Sequence, residues 1–140
     1  MTVKKKRTLA SIITTAIATA SLTVITASAA TFNFYHLDMG DDQYTGAVQK
    51  TNTLQYATVS VDGGNYVNSD RMYFRVCENE RAADSSYYFA TETKQVNGPY
   101  KFSLNYTEAP GIYGDYYRMR GYLSIHSELD ALNTWGTWTP

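Results

Sequence analysis

The sequence has few of the residues that cross-link or catalyse. Its 140 residues include one cysteine and two histidines. With Cys77 alone, no disulfide can form within the chain, so a packed core must hold the fold. A single cysteine is a small buried hydrophobe, a bridge between two copies, or a reactive thiol. We expect the buried role, while a disulfide dimer through Cys77 stays open.

Patterns of catalytic and metal-binding residues are also missing. A nucleophile needs a base within hydrogen-bond reach, and neither His36 nor His126 lies in a G-x-S-x-G or H-E-x-x-H context. The dense group of His36, Asp38, Asp41 and Asp42 lacks the residue order of an EF-hand loop and is typical of a solvated turn. We therefore expect neither enzymatic activity nor a metal or cofactor.

Only one long apolar run is present, and it lies at the start of the chain. Residues 4–7 are basic, residues 9–25 carry no charge, and residues 27–30 are small. This order is typical of a secretory signal peptide. We predict a helical signal peptide over residues 1–30, cut after Ala29 or Ala30. An uncleaved anchor helix is the alternative, although the run is short and diluted by Thr and Ser for a bilayer core of ~30 Å.

Residues 31–140 have the size of one domain. The signal peptide carries four of the twelve basic residues and none of the thirteen acidic ones, so the remainder has a net charge of −5. Such an acidic domain lacks the basic footprint of a nucleic-acid binder, and no second apolar run is long enough to span a membrane. We expect a secreted protein, extracellular or associated with the cell wall.

Aromatic residues are abundant in this domain. All 13 Tyr, 5 Phe and 2 Trp follow residue 30, and Tyr and Phe suit a pleated, half-buried surface. Alternating apolar and polar positions between turn signals predict about seven short strands, at 31–37, 54–61, 71–77, 87–91, 100–106, 116–125 and 134–139. We predict an all-β fold with a single antiparallel β-sandwich, and a small β-barrel as the alternative.

The connections carry their own signals. Residues 38–50 have the composition of a loop, and residues 62–65 that of a tight turn. Pro110-Gly111 fits the centre of a type II turn within a long hairpin joining 100–106 to 116–125. Residues 127–132 are compatible with one helical turn. Trp135 and Trp138, three positions apart on one strand, should face opposite sides.

The strongest functional signal is one face of a sheet. Two predicted strands place apolar residues on one side and Arg and Tyr on the other. The outward residues are Arg71, Tyr73 and Arg75 on one strand, and Tyr116, Arg118, Arg120 and Tyr122 on the other. If both strands share a sheet, this Tyr/Arg face can bind carboxylate or phosphate and stack on rings. The alternative is an ordinary solvent-facing surface whose arginines pair with acidic loop residues.

These features predict a secreted, non-catalytic binding domain that acts at or beyond the cell envelope. Its Tyr/Arg face would recognise an anionic wall polymer, a glycan or a protein partner. A bacteriocin- or toxin-like antagonistic protein is the first alternative, and a small secreted enzyme or enzyme inhibitor is the second. No nucleic-acid partner is expected.

Four short motifs carry a resemblance to a known family. Lys50-Thr51, Arg75-Val76-Cys77, Gly98-Pro99-Tyr100 and Gly136-Thr137-Trp138-Thr139-Pro140 resemble the segments of a domain of unknown function found in small exported proteins of Gram-positive bacteria. The resemblance covers nearly all of residues 31–140, and it implies a secreted β domain without an established activity. In size, aromatic content and export, the chain is also similar to secreted β-sandwich bacteriocins.

Overall fold

The computed structural model of the protein describes residues 29–67, 71–78, 88–127 and 131–140. These residues form nine strands and no helix, which confirms the all-β prediction for this part of the chain. The strands are β1 Ala30–Asp38, β2 Asp42–Tyr44, β3 Val48–Gln49, β4 Tyr56–Gly64, β5 Met72–Glu78, β6 Lys94–Val96, β7 Tyr100–Asn105, β8 Tyr116–Leu123 and β9 Ala131–Thr139. Residues 1–28 of the predicted signal peptide lie outside the described residues.

The strands form two antiparallel sheets. The first sheet has the order β1-β9-β4-β7, and the second has the order β2-β8-β5-β6 with β3 also paired to β8. Neither sheet closes on itself, so the barrel alternative is wrong for the described residues. The first and the last described strands are neighbours, because β1 pairs with β9.

A layer of phenylalanine rings lies between the two sheets. The ring of Phe74 in β5 lies 5.6 Å from that of Phe32 and 6.2 Å from that of Phe34, both in β1. It also lies 5.7 Å from the ring of Phe102 in β7. Because β1 and β7 belong to the first sheet, this one residue of the second sheet contacts both of its edge strands. The arrangement is that of a sandwich, with the inward residues of each sheet forming one core.

Two glycines make room for these rings. A Cβ atom at Gly121 would collide with the Phe34 ring, and one at Gly136 would collide with the backbone carbonyl oxygen of Ser60 and lie 2.9 Å from the Phe32 ring. Both glycines are buried on strands whose other inward positions carry large side chains. Their missing side chains therefore let β1 lie close over its neighbours.

Two predicted connections are in fact strands. Residues 38–50 contain β2 and β3, which are only three and two residues long and are too short to show an alternating pattern. Residues 62–65 are not a tight turn, since β4 runs through Gly64 with a bulge between Val61 and Gly63. Glycine suits a bulge as well as a turn, which explains why the signal was misread.

The predicted hairpin is also wrong. β7 pairs with β4 in the first sheet and β8 pairs with β5 in the second, so residues 106–115 cross between the sheets. Pro110-Gly111 lies within this crossing, and since Gly111 does not have a positive φ, the predicted type II turn is wrong as well.

Three further predictions of secondary structure are corrected as well. The strand at 87–91 is reduced, within the described residues, to one bridge between Phe89 and Cys77, while the unpredicted β6 follows it. β8 ends at Leu123, so Ile125 lies beyond it and is exposed. Of the predicted helical turn, residues 128–130 lie outside the described residues, and residues 131–132 belong to β9.

Candidate functional site

The structure brings the Tyr/Arg face together on the second sheet. Strands β5 and β8 are antiparallel neighbours, so the requirement that both strands share a sheet is met. The facing pairs on the outer side are Tyr73 with Tyr122, Arg75 with Arg120, and Cys77 with Arg118. The residues between them, such as Phe74, Val76 and Met119, are fully buried, which fixes the outward direction of the arginines and tyrosines.

The remaining two predicted residues flank this centre. Arg71 precedes β5, and its backbone N–H donates to Ser127 Oγ at 3.0 Å. Tyr116 begins β8 and is exposed. Because the two strands are antiparallel, these residues lie at opposite ends of the face. The Tyr/Arg face thus has a centre of five predicted residues and two separate ends.

Phe89 lies over the centre of the face. Its ring centroid is 3.8 Å from Cζ of Arg75 and 5.5 Å from Cζ of Arg120. Arg120 also lies 5.2 Å from the ring of Tyr122. Arginine over an aromatic face is a favourable cation–π arrangement. The sequence predicts Phe89 on a strand but carries no signal for the strand with which this residue pairs.

Acidic and backbone groups hold the two central arginines in place. Arg120 Nε donates to Asp42 Oδ2 at 2.7 Å, and Arg75 lies 3.5 Å from Glu108 Oε1. Arg75 Nε also donates to the carbonyl oxygen of Thr91 at 2.8 Å. The two arginine side chains are only 21% and 25% exposed. Part of the face is therefore the ordinary pairing named as the alternative, although a guanidinium has five N–H donors, more than these contacts engage.

Cys77 lies on the outer side of β5 but is buried, with 1% of its surface exposed. Burial raises the pKa of the Cys77 thiol to about 12, against the opposing effect of Arg120 and Arg75. A neutral buried thiol is a poor nucleophile. The geometry therefore agrees with the buried role. The disulfide dimer stays a prediction, and it requires the residues that cover Cys77 to move.

The group of His36, Asp38, Asp41 and Asp42 does not form one cluster, because its members contact different partners. His36 Nε2 lies 3.5 Å from Asp38 Oδ1, whereas Asp42 pairs with Arg120 on the second sheet. Within the described ranges, no three His, Cys, Asp or Glu side chains are grouped as metal ligands would be. Nor does this part of the chain contain a helix with the length and hydropathy of a membrane span.

Comparisons of the chain with protein-family models, with curated proteins and with solved structures find no match. The resemblance to the exported Gram-positive family therefore stays a prediction from the four motifs.

Proposed function

We propose that this protein is a secreted, non-catalytic binding domain whose Tyr/Arg face holds an anionic polymer at or beyond the cell envelope. The observation that supports this proposal most strongly is the pairing of Arg75 directly opposite Arg120. Like charges opposite each other destabilise a sheet. Asp42, Glu108 and Phe89 offset that cost, and an anion bound beside the pair would offset it further.

The chemistry of the face suits phosphate or carboxylate. Arginine presents N–H groups in a planar fork that matches two oxygens of such an anion. Phe89 stacks on Arg75, and Tyr122 lies beside Arg120, so both guanidinium groups are held before a ligand arrives. Groups that are already ordered lose less entropy on binding. Tyr73 and Tyr122 add two half-buried phenol groups to the face, and their ring centroids lie 6.0 Å apart.

Replacement of a single arginine tests this function. Arg118→Ser removes a positive charge from the face and keeps Arg75, Arg120 and Phe89, and Lys94→Ser removes one from the exposed edge strand β6 as a matched control. The probe is Gram-positive cell-wall material, before and after its phosphate polymers are removed. We expect Arg118→Ser to weaken binding to the untreated wall about tenfold, the effect of losing a charge-assisted hydrogen bond. Lys94→Ser should bind as the unaltered protein does.

The salt dependence and the treated wall complete the test. Binding through arginines should fall as salt is raised, because exposed charges are screened. It should also fall when the phosphate polymers are removed. Equal binding by Arg118→Ser and Lys94→Ser would refute the assignment to this face.

A further inference from the structure

The outer face of the first sheet is covered with hydroxyl groups. Its inward positions, such as Phe32, Val59 and Trp138, are buried, so the intervening residues point outward. The strand register places these residues side by side, with Thr137 opposite both Thr31 and Ser60, and Thr58 opposite both Thr139 and Ser103. Six serine and threonine side chains therefore lie on four adjacent strands.

A groove crosses this hydroxyl face. It has a volume of about 260 Å³, and Thr58, Ser60, Thr137 and Thr139 line it together with Lys101 and Ala29. This volume is just below the range of ~300–1,000 Å³ that is typical of small-molecule sites. A cut at either predicted signal-peptide position would remove Ala29 and open that end of the groove.

An exposed tryptophan lies on the same face. Trp135 is two positions from Thr137 on β9 and is 48% exposed, whereas Trp138 of the same strand is 1% exposed. The opposite facing predicted for the two residues is therefore confirmed. The indole of Trp135 rests against Gly63 of β4, where a Cβ atom would collide with it. The glycine lets the indole lie close to the sheet, and about half of the indole remains open to a ligand.

We infer that the groove and Trp135 together form a binding site for an uncharged glycan. Each hydroxyl both donates and accepts hydrogen bonds, as the hydroxyls of a sugar do. The indole offers the apolar surface on which the C–H side of a sugar ring packs, with an N–H donor at its rim. This site lies on the opposite sheet from the Tyr/Arg face and does not depend on it.

The charges near the groove agree with a neutral ligand. Lys101 is the one cation among the described residues that line the groove. The carboxylate of Asp62, two positions from Ser60, accepts a hydrogen bond from Ser60 Oγ at 2.8 Å. One positive and one negative group beside four hydroxyls give no preference for a polyanion. The two outer faces therefore differ in the ligand chemistry that they suit.

Titration with neutral oligosaccharides tests the inference. The probes are uncharged oligomers of glucose and of N-acetylglucosamine, and the readout is tryptophan fluorescence together with its quenching by acrylamide, which reaches the exposed Trp135 and not the buried Trp138. We expect saturable binding to at least one oligomer, with a blue shift and weaker quenching. Thr137→Val keeps the side-chain shape and the strand preference but removes a hydroxyl from the groove, and it should weaken binding about tenfold. Thr93→Val, on an exposed connection before β6, is the matched control and should bind normally.

The outcomes separate this site from the proposed function. Arg118→Ser should bind the oligosaccharide as the unaltered protein does, with melting temperatures confirming that all variants fold. If no neutral oligomer binds, or if Thr137→Val binds as well as Thr93→Val, the glycan site is wrong and the Tyr/Arg face is unaffected. Loss of oligosaccharide binding in Arg118→Ser alone would also overturn the inference and move the glycan to the second sheet.

Discussion

At the scale of single residues, Lys50 has the most unusual surroundings. Its side chain is completely buried, its Nζ donates to Asn52 Oδ1 at 2.8 Å, and the ring centroid of Tyr106 lies 4.9 Å away. Burial lowers the pKa of Lys50 to about 8, since the charged form loses its hydration. The fold therefore contains a lysine whose charge is destabilising at neutral pH.

The titration of Lys50 should be visible in how the free energy of unfolding depends on pH. In the unfolded chain the pKa of lysine is 10.5, so between pH 8 and 10.5 the unfolded state binds more protons than the folded state. The titration of Lys50 should therefore make stability rise with pH. Urea unfolding at pH 7 to 8.5 measures the effect, because at higher pH the buried Cys77 and Tyr106, whose pKa values are raised by burial, have the opposite influence.

Lys50→Met isolates the cause. The variant should be more stable than the parent at pH 7 by about 1–3 kcal/mol and should lose the rise with pH. Asn52 Oδ1 still accepts a hydrogen bond from the Leu54 N–H at 2.9 Å, so no buried acceptor is left alone. Lys101→Met, at an exposed position, is the control, and its stability should depend on pH as that of the parent does. An unchanged slope in Lys50→Met would assign the titration to another group.

At the scale of the strands, sequence pattern predicts faces better than partners. The six longer strands with clear alternation, β1, β4, β5, β7, β8 and β9, lie within a few residues of their predicted positions. The Tyr/Arg face was readable for this reason. The short strands β2, β3 and β6 could not be predicted, because two or three residues are too few to show an alternation of apolar and polar positions.

Pairing between strands is decided by core packing rather than by local pattern. Consecutive strands usually pair, and this rule produced the wrong hairpin between β7 and β8. Phe89 over the arginines and the groove around Thr137 both arise from contacts between distant segments. Neither arrangement could be assembled from the sequence, because local pattern does not say which strands are neighbours.

The close approach of β9 to its neighbours can be tested at Gly136. An added Cβ there would meet the backbone of Ser60, which cannot rotate away as a side chain can. We expect Gly136→Ala to destabilise the fold by about 3 kcal/mol, the upper range for overpacking. Gly46→Ala, where no atom lies within 4 Å of the new Cβ, is the control and should change stability by less than about 1 kcal/mol. Similar unfolding midpoints for both variants in denaturant would contradict the proposed role of Gly136.

At the scale of the whole molecule, the two sheets depend on one core. Strand β1 begins the described chain and pairs with β9 at its end, so the first sheet is complete only when the segments from β1 to β9 are all present. Phe74 then joins this sheet to the second through three aromatic contacts. The two candidate ligand faces lie on opposite outer surfaces of this shared core. The core therefore fixes the position of one face relative to the other.

This dependence predicts that both sheets lose stability when Phe74 is shortened. Phe74→Leu should lower the free energy of unfolding by about 1–2 kcal/mol, since the smaller side chain leaves part of the space between the sheets unfilled. Hydrogen exchange at Val59 in the first sheet and at Met119 in the second should accelerate by the same factor, because one cooperative unit opens as a whole. Tyr100→Leu, at an exposed position on the edge strand β7, provides a control that should leave both rates nearly unchanged. Faster exchange at Met119 alone would mean that the second sheet unfolds by itself, and the two faces would then not share a rigid core.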